Sequence, residues 1–510
     1  MMLNRKQKPK LKHILSSIVI VLGSTVLPSC AVLDYIKPTQ RAESEIKAAI
    51  PPTEWVAPLP HHGSLKKLNQ FWAQYQDSLL LYLISAAEKE SVDLASAKTK
   101  IMQARSDRAI ANAALLPSLD ATSSSSISVE QPTPKFKNTR GFNQIQNGGP
   151  TRSTQIGLQS SWELDLFGEN AAAVDASKAN LLSAESSWHE ARVSLAAEVA
   201  TSYFDYRFCN QQLDIAKADA SSRQETARIT DISVKAGFTD EGSGHLAHAS
   251  NASAEQQVLL QQATCDSTLK ELVALTNITE ADLRQKMQQN TATKLDERSS
   301  TELFSISEIP AEVIAQRPDV YMAEQDVIAA IADLKSSKLE RYPSISLNGS
   351  IGLLHLSTKN YTSSGAIWSL GPLTITLPIF DGGRSKANVE AKSVKLDETF
   401  TSYRSKVRTA VKEVEQALVT LDSTTKRAQS AQDAAASYRA ALASTEIKYQ
   451  SGFANIIELE ETRRSSLQAE SNILSLKKER NNAWISLYRA AGGGWTEAEA
   501  NKPLTIKADN

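Results

Sequence analysis

Apolar residues along the chain change period in a fixed order, and the order occurs twice. Leu119, Ala121, Ile127 and Val129 alternate with serines and other polar residues. Ile156, Leu158, Trp162, Leu164 and Leu166 alternate with Gln155, Gln159, Glu163 and Asp165. Period two predicts strands with one wet face and one apolar face. The pattern returns at Ile345, Leu347, Ile351 and Leu353, then at Leu373, Ile375, Leu377 and Ile379. After each pair of strands the period lengthens. Leu181, Trp188 and Leu195 step by seven, as do Val199, Tyr206 and Leu213. Leu396, Phe400, Tyr403, Val407, Val411, Val414, Leu418 and Leu421 step mostly by three and four. This is coiled-coil spacing with interruptions.

The repeat organises the whole chain. A first repeat over 66–290 is expected to hold a helix, a β-hairpin (117–166), a long helix (168–236) and a return helix (244–288). A polar connector at 289–310 leads to a second repeat over 311–495. There a helix, a hairpin (343–380), a long helix (383–451) and a return helix (455–491) follow, with a tail at 496–510. The opening helix of the first repeat is expected to be about 45 residues, Leu68 to Leu116, ended by Pro117. Each long helix is proline-free and is turned at Gly-Phe, at Gly237-Phe238 and Gly452-Phe453. About 70 residues of α-helix span roughly 105 Å. The hairpin connections, roughly 130–152 and 355–366, are long and polar. Trp162, Trp368, Tyr342 and Tyr361 fall near strand ends or within the hairpins, where interface aromatics belong.

Strands of ten residues or slightly more suffice to cross a bilayer when tilted. No apolar run of helical transmembrane length follows the leader, so any crossing has to be a β-barrel. Four strands cannot close one, because barrels need about eight. Two copies would supply eight strands and three would supply twelve, and arithmetic alone does not choose.

The first 29 residues form a secretory signal. Arg5, Lys6, Lys8, Lys10 and Lys12 precede an apolar run from Ile14 to Leu27, too short for a comfortable span. Leu27-Pro28-Ser29-Cys30 resembles a bacterial lipobox, with Pro28 departing from the usual small residue. It marks Cys30 for covalent lipid, and Ala31 after it favours the outer membrane by resemblance to lipoprotein sorting rules. The alternative is an ordinary cleavage site with an incidental cysteine. Residues 30–65, proline-rich and polar, read as a tether from the lipid to the body. Of 56 basic residues the leader removes five, leaving 51 against 57 acidic, a charge near −6. No basic footprint for nucleic acid remains.

Cys209 and Cys265 stay after processing, and Gly237 is their midpoint. A chain that reverses there sets them at equal height, so a disulfide is expected, the alternative being two buried thiols. No enzyme site, cofactor site or metal site emerges. His245 and His248 have helical metal spacing but no third ligand, His61-His62 lies in the tether, and Gly242-Ser243-Gly244 lacks nucleophile-elbow context. The five methionines do not cluster.

The phrases WELDLFG, IPAEVIAQRPDV, RYPSISLNGSIG, PIFDGGR, YQSGFANIIELEE and LYRAAGGGW, in that order over about residues 65–495, resemble the outer membrane factor (TolC-like) family, and within it the NodT-type efflux lipoprotein branch. The resemblance implies an α+β membrane channel. Three chains would close a 12-stranded outer-membrane barrel that continues into a long periplasmic α-helical barrel with a small mixed equatorial region. It implies a homotrimer that exports small molecules together with a periplasmic adaptor and an inner-membrane transporter. It implies that the tips at Gly237, Phe238, Gly452 and Phe453 contact the adaptor. The family's acidic residues six and nine positions past the second tip glycine correspond to Glu458 and Glu461, which would ring the periplasmic entrance and favour cations. They are glutamates where the family more commonly has aspartates. The first tip has Ser243 at the comparable place, with Asp240 and Glu241 nearby. A type I protein-secretion channel of the same fold and a structural coiled-coil surface lipoprotein are the alternatives. The second predicts neither paired membrane hairpins nor a hairpin-plus-helix repeat.

Overall fold

The structure, a computed structural model, describes residues 51, 55–57, 71–129, 150–290, 310–358 and 361–495. The expected leader, Cys30, most of the tether, the first hairpin's loop, most of the connector and the tail lie outside these residues.

Four strands form one antiparallel sheet in chain order: β1 (Ser118–Val129), β2 (Pro150–Glu163), β3 (Ser344–Thr358) and β4 (Tyr361–Thr376). The strands run 12 to 16 residues, longer than a tilted bilayer crossing needs. Register decides which side chains share a face, because paired residues point the same way. One row across the sheet is Ala121–Leu158–Ile351–Trp368. The adjacent row of the other face is Thr122–Gly157–Gly352–Ile367. On that second face hydroxyls pair across strands, Ser126 with Ser153 and Ser350 with Ser369, both at 2.8 Å. Leu158, Ile351, Trp368, Leu370 and Leu373 are exposed in the single chain, an apolar area that water does not favour.

The two hairpins join along β2–β3, where Gly157 and Gly352 pass so closely that a Cβ on Gly157 would lie 2.5 Å from the Ile351 carbonyl oxygen. The expected second loop at 355–366 is corrected: His355 pairs Ser364 and Thr358 pairs Tyr361, so β3 and β4 run nearly to the turn. Trp368 sits within the second hairpin, in β4 opposite Ile351.

Below the sheet lie the helices. The expected 45-residue opening helix is three: α1 (Phe71–Gln74), α2 (Ser78–Glu90) and α3 (Val92–Ala113). Gln76 takes a left-handed φ of 50°, and the buried Asp77 carboxylate then caps α2 by accepting from the Leu79 and Leu80 amides. Ser91 restarts the chain as α3 by accepting from the Leu94 amide. A side chain competing for backbone donors breaks a helix that composition alone would continue. Asp77 also receives Tyr203, Arg207 and Asn290.

The two long helices, α4 (Glu169–Lys235) and, later in the chain, Arg384–Gln450, have 67 residues each, about 100 Å. Both start alike. Gly168 (φ 84°) and Gly383 (φ 92°) precede them, and an upstream aspartate takes the free amides. Asp165 accepts from Ala171, and Asp381 from Gly383 and Ser385. After α4 the expected single return helix is also corrected. It is α5 (Glu241–Thr276) and α6 (Glu280–Gln289), divided at left-handed Asn277 and recapped by Thr279. The second repeat continues with α7 (Pro310–Ala315), α8 (Pro318–Leu339), the strands β3 and β4, the long helix α9 (Arg384–Gln450) and α10 (Ile456–Ala490). Among the described residues no helix is long and apolar enough to cross a membrane.

The core is thickest at mid-height. One cluster joins α2, α4 and α5 through Leu80, Leu83, Tyr203, Phe204, Leu269 and Leu272. A second joins Phe71, Val313, Leu418, Trp484 and Tyr488, with Trp55 against it. Residues 55–57 are held there, because the Val56 and Ala57 amides donate to the Glu415 carboxylate at 2.6 and 2.8 Å. Two of the sequence phrases meet at this level. Arg317 is buried, forms a two-pronged pair with Asp319, binds Glu413, and donates to the Ala490 carbonyl at 2.8 Å. Gly492 follows on α10's end, where a Cβ would collide with the Gln316 carbonyl. Burial alone would raise the Asp319 carboxyl, but the hydrogen bonds and charge of Arg317 outweigh it and hold it below the usual range.

His189, buried on α4 between Trp188 and Trp495, has no partner for Nε2. Burial, and then the Arg192 charge, lower its pKa from 6.5 to about 4. The unfolded chain binds a proton here below 6.5 that the fold refuses until about 4. Stability is therefore complete above 6.5 and falls as the pH drops toward 4. Thermal unfolding at pH 7.5 and 4.5 should show a smaller acid-induced loss for His189→Gln than for the wild type.

Candidate functional site at the helical tips

The end of the molecule opposite the sheet carries two helix-turn-helix tips built by the same local rule. Gly237 (φ 76°) and Gly452 (φ 78°) stop the long helices in left-handed conformation. At the first tip Gly237 donates to Val234 O and Phe238 to Ser233 O. At the second, Gly452 donates to Tyr449 O and Phe453 to Lys448 O. These are paired Schellman bonds, which need a residue free of the Cβ penalty. Asp240 then caps α5 at the Ser243 amide, and Asn455 caps α10 at the Glu458 amide. Phe238 and Phe453 project outward, 86% and 84% exposed.

Glu458 and Glu461 lie one turn apart on α10 and both are exposed. Glu458 occupies the third helical position after the Asn455 cap, where the helix dipole favours negative charge. Between them Glu460 points the other way and is buried. It accepts from Arg223 of α4 at 2.6 Å, from Arg463, and from Ser250 of α5. Arg223 also pairs with Asp219, and Arg463 reaches the Thr226 hydroxyl at 3.1 Å. Burial raises the Asp219 carboxyl, and Arg223 offsets this only in part. Nearer the tip, Thr230 and Tyr449 share a hydrogen bond at 2.6 Å. Beneath these bonds Ala227, Ala247, Ile456 and Leu459 pack together. A polar bay of about 520 Å³ opens beside the network, lined by Arg223, Ser250, Glu460 and Arg464.

The sequence singled out Glu458 and Glu461 but not this network. One signal was available: Ile456, Leu459, Glu460, Arg463 and Ser466 fall on one helical stripe, which places two charges on a buried face. Their partners on α4 lie 237 residues away in sequence and could not be read. The sulfurs of Cys209 and Cys265 are bonded, with the Cα atoms 5.5 Å apart. His248 pairs with Asp231 at 2.8 Å. Among the described residues no group of three or more His, Cys, Asp or Glu side chains could hold a metal ion.

A four-stranded apolar-faced sheet on two 100 Å helical hairpins defines a barrel-and-tunnel channel subunit of outer-membrane type. Residues 83–278 and 309–493 match the family described as outer membrane efflux protein. The chain belongs to that family, whose members are trimeric, non-enzymatic conduits of the outer membrane that work with adaptors and inner-membrane transporters in efflux pumps. It is 26% identical over 459 residues to Nodulation protein T of Rhizobium leguminosarum bv. viciae, covering 87% of this chain and 88% of the relative. It is 31% identical to Outer membrane protein OprJ of Pseudomonas aeruginosa over 353 residues, 68% and 72% of the two chains. Among solved structures, the open state of the Neisseria gonorrhoeae MtrE outer membrane channel superposes with a TM-score of 0.70 at 26% identity, covering 82% and 90% of the two chains. A membrane protein from Pseudomonas aeruginosa gives 0.73 at 27%, covering 84% and 93%.

Removing one member of a buried ion network leaves the others unpaired, a cost of about 3–5 kcal/mol. Glu460→Gln should therefore speed amide exchange across residues 456–470 by about a hundredfold or more. Exchange at the wild-type rate would show that Glu460 does not hold the hairpins together.

Proposed function

We propose that this chain forms the exit duct of a tripartite efflux pump and that its flow is controlled at the helical tips. Cargo is small toxic molecules delivered by an inner-membrane transporter of the resistance-nodulation-division kind or similar. A periplasmic adaptor meets the protruding Gly237-Phe238 and Gly452-Phe453 tips. The chain itself does no chemistry: it supplies a path and a selective entrance.

One observation carries the gate reading: neighbouring glutamates on one helix turn have opposite fates. Glu458 and Glu461 face solvent while Glu460 is tied to the adjacent hairpin. In a trimer the exposed pair becomes six carboxylates around an axis, a ring that attracts cations and repels anions. The buried one ties the hairpin bearing that ring to its neighbour. Opening the entrance then requires the α9–α10 hairpin to leave Arg223 and Ser250.

Replacing both exposed residues, Glu458→Gln and Glu461→Gln, should weaken cation preference in planar-bilayer conductance at low salt, where such rings act most strongly. Unchanged selectivity would reject the ring. Lipid on Cys30 complements the barrel as a second anchor. Metabolic palmitate labelling should mark the wild type and not Cys30→Ser, whereas equal labelling of both would remove the anchor from this account.

A further inference from the structure

The two hairpins hold register by different means. In the second hairpin the return helix α10 buries large side chains near the tip, Ile456 and Leu459, with Leu442 and Tyr449 packed beside them, while the buried residues of α9 beyond Leu421 are the small Thr424, Ala435 and Thr445. In α4–α5 the matching stretch is small, apart from Ile215 and Val258, which are half-buried at its disulfide end. From its start to Cys265, the buried residues of α5 are Gly244, Ala247 and Ala254. Those of α4 beyond Leu213 are Thr226, Ala227 and Thr230. Shallow knobs specify register weakly, because a slip forfeits little packing. The Cys209–Cys265 bond lies where that stretch begins. Its sequence separation of 56 is bisected by Gly237, so each cysteine stands about 42 Å along its helix from the tip. The corresponding positions around Gly452 are Thr424 and Arg480, where no disulfide can form.

Register matters here because α4 and α5 each send one side chain to the same carboxylate oxygen. Arg223 Nη1 and Ser250 Oγ both donate to Glu460 Oε2, and Arg223 also donates to Ser250 at 2.7 Å. Sliding α5 by one turn displaces Ser250 by about 5.4 Å, beyond hydrogen-bonding reach. We propose that the Cys209–Cys265 bond is a redox-set register lock that assembles the Arg223–Ser250 seat for Glu460. The lock itself stands on these contacts, and only its consequence, a looser entrance, rests on the gate reading above. Release is thiol–disulfide exchange: a dithiol supplies two electrons and two protons, the S–S bond becomes two thiols, and the reductant leaves as its own disulfide.

The test uses the folded, membrane-extracted trimer, reduced in place with dithiothreitol, beside the Cys209→Ser/Cys265→Ser variant. Reduction after folding avoids dependence on a variant that fails to assemble. Amides 244–256 should exchange about tenfold faster on reduction and recover on reoxidation. Exchange indifferent to reduction overturns the lock. Bilayer conductance gives the second reading. If the seat is what the lock assembles, reduction and Glu460→Gln each raise resting conductance, and together raise it no further than Glu460→Gln alone. Additive increases overturn the proposal. Faster exchange with wild-type conductance in every form keeps the lock and refutes the gate.

Discussion

An open four-stranded sheet has two edges, here β1 and β4, and in hydrocarbon each unpaired amide and carbonyl along them costs several kcal/mol. That cost governs the rest of the molecule. The hairpins can stay in the membrane only if other copies pair their edges, so the fold is complete only in an assembly. Closing the ring also fixes where the helices descend, because each long helix leaves its strand within a few residues: Glu163 ends β2 and Glu169 begins α4. The left-handed glycines and aspartate caps at those junctions turn the chain from tilted strand to helix without stranding the first amides. Gly157 and Gly352 let the two hairpins approach along their shared seam, so the sheet runs unbroken across the boundary between repeats.

The tunnel needs a second fixed point, since helices of 100 Å joined only at their ends would slide. The mid-height core supplies it. Arg317 is buried with its charge answered by Asp319 and Glu413 and an Nη1 donor taken by the Ala490 carbonyl, which ties the start of α8 to the end of α10. Such a buried pair contributes little net stability but penalises any arrangement that leaves it unpaired. Asp77 plays a similar part in the first repeat. It breaks the opening helix, caps α2, and draws Tyr203, Arg207 and Asn290 to one carboxylate. Below this belt the α4–α5 hairpin packs through small residues, Ala227, Gly244, Ala247 and Ala254, whereas α10 still buries Ile456 and Leu459.

Much of this was legible in the sequence and some was not, for identifiable reasons. The strand alternation at Leu158, Ile351 and Leu373 and the long-helix periodicity at Val407, Val414, Leu418 and Leu421 are face-defining patterns repeated over many residues, and local rules suffice for them. The break at Asp77 was missed because helix propensity runs on through Asp77 and Ser91. Only a buried carboxylate with five donors around it makes stopping preferable. The division at Asn277 was missed for a like reason, a single left-handed residue in an otherwise helical composition. At the tips, Glu458 and Glu461 were singled out through resemblance, whereas the only local sign of Glu460's burial is its place on the stripe of Ile456, Leu459 and Arg463.

By itself the sequence determined the repeat, the four strands and their apolar face, the lengths of the two long helices and the glycines that turn them, because each follows from periodicity or backbone conformation within a few residues. It also set the cysteines at equal distance from Gly237. Only the tertiary structure decided that Glu460 meets Arg223 and Ser250, that Arg317 meets Glu413 and Ala490, and that Gly157 meets Gly352. Those pairings join positions far apart in the chain, and a charge or a glycine carries no sign of its distant partner until packing brings the two together.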